Sequence, residues 1–204
     1  AERGVPIVED DPYAFVGFPG VDPLPSLYSF NPAGVIYLGS MSKLFSPGMR
    51  VGWMCAAPEV RDRLQIAGES VDIHPSVLAQ EIVHAWVGTP AGEEALGKER
   101  RALGRRCPRR LGALEAAGVP AGVPWTRPSG GFFTWLTLPG VDPATDVLSA
   151  AIEQQLVIVP GNACFTATPQ RCHVRLAFSN SSHEDVTEGG RRLALTVQRL
   201  SARR

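Results

Sequence analysis

Apolar and polar positions divide the chain into two differently patterned parts. Residues 5–8 form a short apolar run closed by Glu9, Asp10, Asp11 and Pro12, the pattern of a buried strand ending in a loop. Five prolines and two glycines between residues 12 and 33 leave no room for a regular crossover helix. A second apolar run, residues 35–39, leads directly into Ser40-Met41-Ser42-Lys43, and a third strand over 51–56 follows a tight turn at Ser46-Pro47-Gly48. The period then lengthens. Pro58 suits a first helical turn, and Val60, Leu64 and Ile66 carry helical spacing to residue 67. Leu78, Ile82, Val83 and Trp86 mark a second amphipathic helix over 76–87, stopped by Gly88-Thr89-Pro90. A long helical segment follows over 91–117, which Pro108 is expected to kink or divide, with Gly118 as its C-terminal cap.

The remainder alternates shorter elements. Residues 131–138 and 174–178 read as strands with a brief strand at 157–159, and 143–155 and 183–200 read as helices. The expected division is therefore an α/β portion over 1–100, built on a mixed, mostly parallel sheet, and a small α+β domain over 101–204. The chain opens on a strand with no element before it. A parallel strand needs neighbours, so the sequence reads as the middle of a larger protein.

Charge and cysteine content narrow the function classes. Twenty basic residues balance twenty acidic ones, which argues against a general nucleic-acid or anionic-membrane surface. Arg100, Arg101, Arg105, Arg106, Arg109 and Arg110 are concentrated on the long helix, where they read as a solvated face. Cys55, Cys107, Cys164 and Cys172 form no C-x-x-C pair, and His74, His84, His173 and His183 do not join them at zinc-ligand spacing. Reduced thiols, no apolar run long enough to span a bilayer and no signal-peptide pattern give a cytoplasmic expectation.

The chemistry concentrates where strands end. Loops converge at the C-terminal edge of an α/β sheet, and Asp10 and Lys43 both fall just beyond such an edge. A lysine after a strand, between small hydroxyls and followed by Arg50, matches the needs of an aldehyde-bearing phosphate cofactor, pyridoxal 5'-phosphate. The Lys43 amine can form a Schiff base and then serve as the proton-transfer base, while Ser40 and Arg50 bind phosphate. The Asp10 carboxylate can keep a pyridine nitrogen protonated, and Tyr13 can hydrogen-bond the ring's phenolic oxygen. Each residue alone has a commoner role: a turn aspartate, a surface lysine, a packing tyrosine. Their order in one segment gives the set its meaning.

Glu9-Asp10-Asp11-Pro12-Tyr13, residues 35–43, and Ser46-Pro47-Gly48-Met49-Arg50-Val51-Gly52-Trp53 resemble the class I/II aminotransferases of PLP fold type I, in the 2-aminoadipate aminotransferase-like branch. Gln80, residues 128–135, Val159-Pro160-Gly161 and residues 174–179 continue the likeness. The resemblance implies the C-terminal part of the large cofactor domain plus a small C-terminal domain. It implies Asp10 on the pyridine nitrogen, Tyr13 on the ring hydroxyl, Lys43 as Schiff-base lysine, and Ser40 and Arg50 on phosphate. It also implies Arg175 as the residue gripping the substrate α-carboxylate, amino acid and 2-oxo acid substrates, a homodimer and a place in amino acid metabolism.

Two rival readings come from the same residues. Ser40-Met41-Ser42-Lys43 fits the Ser-x-x-Lys of penicillin-recognising enzymes, but no later Ser-Asp-Asn or Lys-Thr-Gly accompanies it. The aminotransferase-like sensor domain of a GntR/MocR-type transcription regulator would match in outline, with a separate region contacting DNA. An inactive truncated homologue is a further alternative.

Overall fold

A computed structural model describes residues 4–119, 123–142 and 146–202. The chain forms two compact units, residues 1–100 and 101–204.

In the first unit, β1 (Ile7–Asp10) runs parallel to β2 (Val35–Ser40), and β3 (Gly52–Cys55) returns antiparallel, in the order β1-β2-β3. The proline-rich connection contains one short helix, α1 (Leu27–Phe30). Glu9 fixes it to the sheet: its two carboxylate oxygens accept from Leu27 N–H at 2.9 Å and Tyr28 N–H at 3.0 Å. A carboxylate at a helix N-terminus satisfies donors that lack partners inside the helix.

Helix α2 (Pro58–Asp72) starts at its proline as expected but runs longer than its apolar spacing suggested. None of its residues is buried. Ile66 is 67% and Val71 81% exposed, and Val8 on β1 is 60% exposed. Proline and propensity are local and start the helix, whereas burial needs an opposing surface that this three-stranded unit does not supply. The helix ends at Ile73, whose φ of 62° and ψ of −63° place a β-branched residue in strained backbone, with His74 N–H donating to Asp72 O at 2.7 Å. Helix α3 (Val77–Trp86) is capped by Ser76 and buries Ala79 and Val83, while Leu78 and Ile82 stay exposed.

Helix α4 (Pro90–Ala116) is continuous across Pro108, so of the expected kink or division the division does not occur. Proline removes one backbone donor, but Leu103 and Cys107 before it and Leu111 and Leu114 after it are all buried. Burial on both sides holds the two halves in one helix. Gly118, at φ +77°, ends the segment and donates its N–H to Glu115 O. Arg110 departs from the solvated-face reading: it is 6% exposed and its Nη1 has no hydrogen-bond partner. Burial, then the neighbouring Arg106, lowers the affinity of its guanidinium for the proton.

In the second unit, β4 (Phe133–Leu138), β6 (Cys172–Ala177) and the short β5 (Val159–Pro160) form an antiparallel sheet in the order β4-β6-β5. Alternation sorts its faces. Thr134, Leu136, Leu138, Cys172 and Val174 are buried in the core, while Phe133, Trp135, Thr137, His173 and Arg175 line the partly exposed face. Helix α5 (Val147–Ile152) begins at the Asp146 cap, so it is shorter than expected, and residues 143–145 of that expectation lie outside the described residues.

Helix α6 (His183–Ala202) opens with a reciprocal cap: Asp185 N–H donates to Ser182 Oγ at 3.0 Å, and Ser182 N–H donates to Asp185 Oδ2 at 3.1 Å. Its stripe of Leu193, Ala194, Thr196, Val197 and Leu200 is buried. At Gly190 a Cβ would lie 2.9 Å from Ala117 Cβ, so glycine permits the close approach of α6 to the end of α4.

The half-exposed Glu188 receives Arg191 and Arg192, whose hydrogen bonds lower its carboxyl to about 2. A carboxylate whose folded value is depressed stabilises the fold above its unfolded value and loses that contribution as pH falls toward the folded one. We therefore expect the thermal midpoint to fall on acidification between about 4.5 and about 2. In Glu188→Gln the acid-dependent part of that fall is smaller, as scanning calorimetry at several pH values measures.

Candidate cofactor site

The parallel pairing of β1 with β2 puts both C-terminal ends at one edge of the sheet. Asp10 pairs with Leu38, and Asp11 N–H donates to Leu38 O at 3.0 Å. Ser40 pairs with Gly52, so the antiparallel β3 starts at that same edge, just after Arg50. The chain turn between them is tightly wound. Met41 N–H donates to Val51 O at 2.9 Å, and Met41 O accepts from Leu44, Phe45 and Ser46. Lys43 lies at the exposed tip of this turn, in the same unit as Asp10, Tyr13, Ser40 and Arg50.

Two glycines permit this turn to sit where it does. A Cβ on Gly39 would fall 2.2 Å from the Trp53 ring, and one on Gly52 would fall 2.9 Å from Gly39 O. Trp53 thus lies flat across Gly39, beside Phe15 at 6.4 Å between ring centroids. Below the turn, Phe15, Met41, Leu44, Trp53, Trp86 and Leu96 line an apolar cavity of about 320 Å³. No sequence expectation marked this cavity. Its residues come from four separate segments, so only the recurrence of aromatics gave a sign of it.

The charged groups of the edge are available to a ligand. Asp10 and Lys43 are both exposed and make no side-chain hydrogen bond or ion pair among the described residues. Ser40 Oγ accepts from Ser42 N–H at 3.1 Å, and its own proton is left to donate. Arg50 adopts the left-handed conformation at φ 53°, closing the 3₁₀ turn Pro47–Met49, and its Nη1 donates to Pro47 O at 3.2 Å. A long side chain in this region is uncommon and strained, which makes its placement a functional clue. On β2, Tyr37 has its phenol raised by burial, then by the carboxylates of Asp11 and Glu9. That negative field near the end of β1 suits a protonated pyridine nitrogen, the Lys43 amine suits an aldehyde, and the Arg50 guanidinium suits a phosphate. The donor set fits pyridoxal phosphate.

Arg175 stands at the centre of β6 in the second unit, opposite Trp135 of β4 and Val159 of β5. Its guanidinium carbon lies 4.3 Å from the centroid of the Phe133 ring, a cation–π contact. Its Nε is buried without a hydrogen-bond partner. An orphaned buried donor costs free energy, and a carboxylate accepting from the fork would remove that cost. The supporting role of Phe133 was not anticipated, although the residue lies within the motif at 128–135.

A mixed sheet with the chemistry at its strand ends, and a separate antiparallel sheet bearing Arg175, define a PLP fold type I architecture. The family model for aminotransferase class I and II matches residues 1–193, and the chain belongs to that family. It is 37% identical over 205 residues to a 2-aminoadipate transaminase of Thermus thermophilus, covering 98% of this chain and 51% of that protein. A crystal structure of LysN, the alpha-aminoadipate aminotransferase from Thermus thermophilus, complexed with N-(5'-phosphopyridoxyl)-L-leucine, superposes with a TM-score of 0.87. It is 36% identical and is matched over 100% of this chain and 52% of that one. An uncharacterised helix-turn-helix transcriptional regulator of Bacillus subtilis, YisV, is 32% identical over 96% of this chain and 40% of the regulator. The chain spans about half the length of the curated relatives it matches. Among the described residues, no helix is long and apolar enough to cross a membrane.

Proposed function

We propose that this chain is part of a pyridoxal phosphate-dependent aminotransferase that moves an amino group between an amino acid and a 2-oxo acid. The observation that carries the reading is the gathering of Asp10, Ser40, Lys43 and Arg50 at one strand edge, with Asp10 and Lys43 making no side-chain bond among the described residues. When bound, the cofactor supplies an electron-poor heterocycle able to take up the electron pair left as a bond at the substrate Cα breaks. Lys43 Nζ would hold it covalently and would be the base that moves the proton at the substrate Cα. Asp10 would keep the pyridine nitrogen protonated, Tyr13 would donate to the ring oxygen, and Ser40 and Arg50 would bind phosphate. Arg175 grips the substrate carboxylate through two parallel hydrogen bonds.

In this reading residues 1–100 are the remainder of a large cofactor-binding domain and 101–204 a small C-terminal domain. The exposed apolar residues of β1 and α2 support further protein surface against the first unit, from the rest of the large domain and a second copy in a homodimer. Four free thiols support a cytoplasmic setting, and the transfer reaction itself would place the protein in amino acid metabolism.

Initial rates test the function in the whole protein. With amino acid and 2-oxo acid both varied, a two-stage exchange gives parallel double-reciprocal lines. The regulator relatives motivate a second reading, a sensor domain that holds the cofactor without turnover. Cofactor binding with no transfer to any 2-oxo acid would favour it.

A further inference from the structure

On the partly exposed face of the second sheet, hydrogen bonding selects one tautomer of the neutral His173 ring. Trp135 Nε1 lies 3.2 Å from His173 Nδ1, and Thr137 Oγ1 lies 3.2 Å from the same nitrogen. An indole N–H only donates, so Nδ1 must present a lone pair and the neutral ring carries its proton on Nε2. The ring is confined as well. It stacks on Trp135 at 5.5 Å and on Phe165 at 5.0 Å, and its backbone N–H donates to Asn162 Oδ1 at 3.0 Å. A Cβ on Gly161 would meet both His173 Cβ and Trp135 Cη2 at 2.7 Å, so little space lies behind the pair.

Trp135 is the direct cross-strand partner of Arg175, and such partners project from the same face of a sheet. Trp135 and Arg175 thus share one face of the sheet, the indole bonded to His173 and the guanidinium resting over Phe133. We propose that His173 is a positioning residue whose neutral ring pins Trp135 beside Arg175, and whose protonation by solvent releases it. The imidazolium carries N–H at both nitrogens, so the Trp135 bond is lost and two donors oppose each other. The charged or titratable groups on or next to the elements carrying this face are Arg175 on the same face of β6, Cys172 on its buried face with Asp142 acting on it, Arg171 just before β6, and Cys164 in the 3₁₀ turn Gly161–Cys164. β4, β5, β6 and this turn carry no carboxylate to offset the new charge. The consequence for substrate rests on the reading of Arg175 as carboxylate binder; the lock itself does not.

The test follows the Trp135 indole N–H by proton–nitrogen NMR in the full chain, assigned by its loss in Trp135→Phe, from about pH 8 to about pH 5, where histidine titrates. In the wild type the signal moves with the same midpoint as the His173 ring. In His173→Asn, whose Oδ1 replaces Nδ1 as acceptor without titrating, it stays in place. A wild-type signal that does not move, or an equal movement in His173→Asn, overturns the proposal. Should that variant not fold, the coincidence of the two wild-type midpoints decides alone. Pyruvate, as carboxylate probe, is expected to bind about two- to tenfold more weakly at the acid end in the wild type, the worth of one hydrogen bond, and equally at both ends in His173→Asn. If the indole behaves as expected while pyruvate binds at neither pH, the lock stands and the role given to Arg175 fails.

Discussion

Lys43→Ala is expected to slow amino-group transfer by at least about 10²–10⁴-fold, the usual contribution of a positioned proton-transfer base. That corresponds to roughly 3–5 kcal/mol of barrier. Alanine removes both the proposed covalent anchor and the only lysine amine at the sheet edge among the described residues, whereas the chain's other lysine, Lys98, is engaged with Glu94 at 2.7 Å on α4. Lys43 is exposed and makes no side-chain bond among the described residues, so the thermal midpoint should hardly change. Single-turnover rates at saturating cofactor measure the first effect and a melting curve the second. A variant that transfers amino groups at the wild-type rate would remove Lys43 from the mechanism.

The second large effect concerns Arg175. Arg175→Lys keeps the positive charge but loses the planar fork and the guanidinium face over Phe133. We expect KM for amino acid and 2-oxo acid to rise together, by about 10²-fold, with kcat less affected, because a carboxylate clamp acts on both substrates before chemistry. Folding should not suffer in proportion. Nε is buried without a partner, and lysine has no such atom to leave unsatisfied. A fall in stability with KM unchanged would make Arg175 a structural cation instead.

The parts of this molecule that depend on neighbours in sequence were legible from sequence. The apolar run at 35–39 followed by Ser40 to Lys43 predicted both a strand and the loop beyond it, and β2 ends at Ser40. Gly118 stops α4 because positive φ is a property of the glycine itself. Failures arose where distant residues decide. Pro108 has the local signature of a helix breaker, yet Leu103, Cys107, Leu111 and Leu114 are buried around it. Arg110 misleads for the same reason, since a count of arginines on a helix does not say which one faces the core.

For the site, the order of Asp10, Lys43 and Arg50 along the chain was enough to suggest a cofactor, because parallel strands bring their C-terminal ends together. What sequence could not give was the way the edge is built: Trp53 laid across Gly39, Met41 O gathering three amides, and Arg50 held in left-handed backbone. The Phe133 ring beneath Arg175 and the Trp135–His173 bond likewise depend on strand register, which the turns between β4 and β6 do not specify locally.

Covalent labelling addresses the central claim most directly. The protein is incubated with pyridoxal phosphate, reduced with borohydride, digested, and its modified peptides are identified by mass. Attachment at Lys43, with Lys98 and the N-terminal amine unlabelled, is the result this account requires. Label on Lys98 or the N-terminus with none on Lys43 would contradict it.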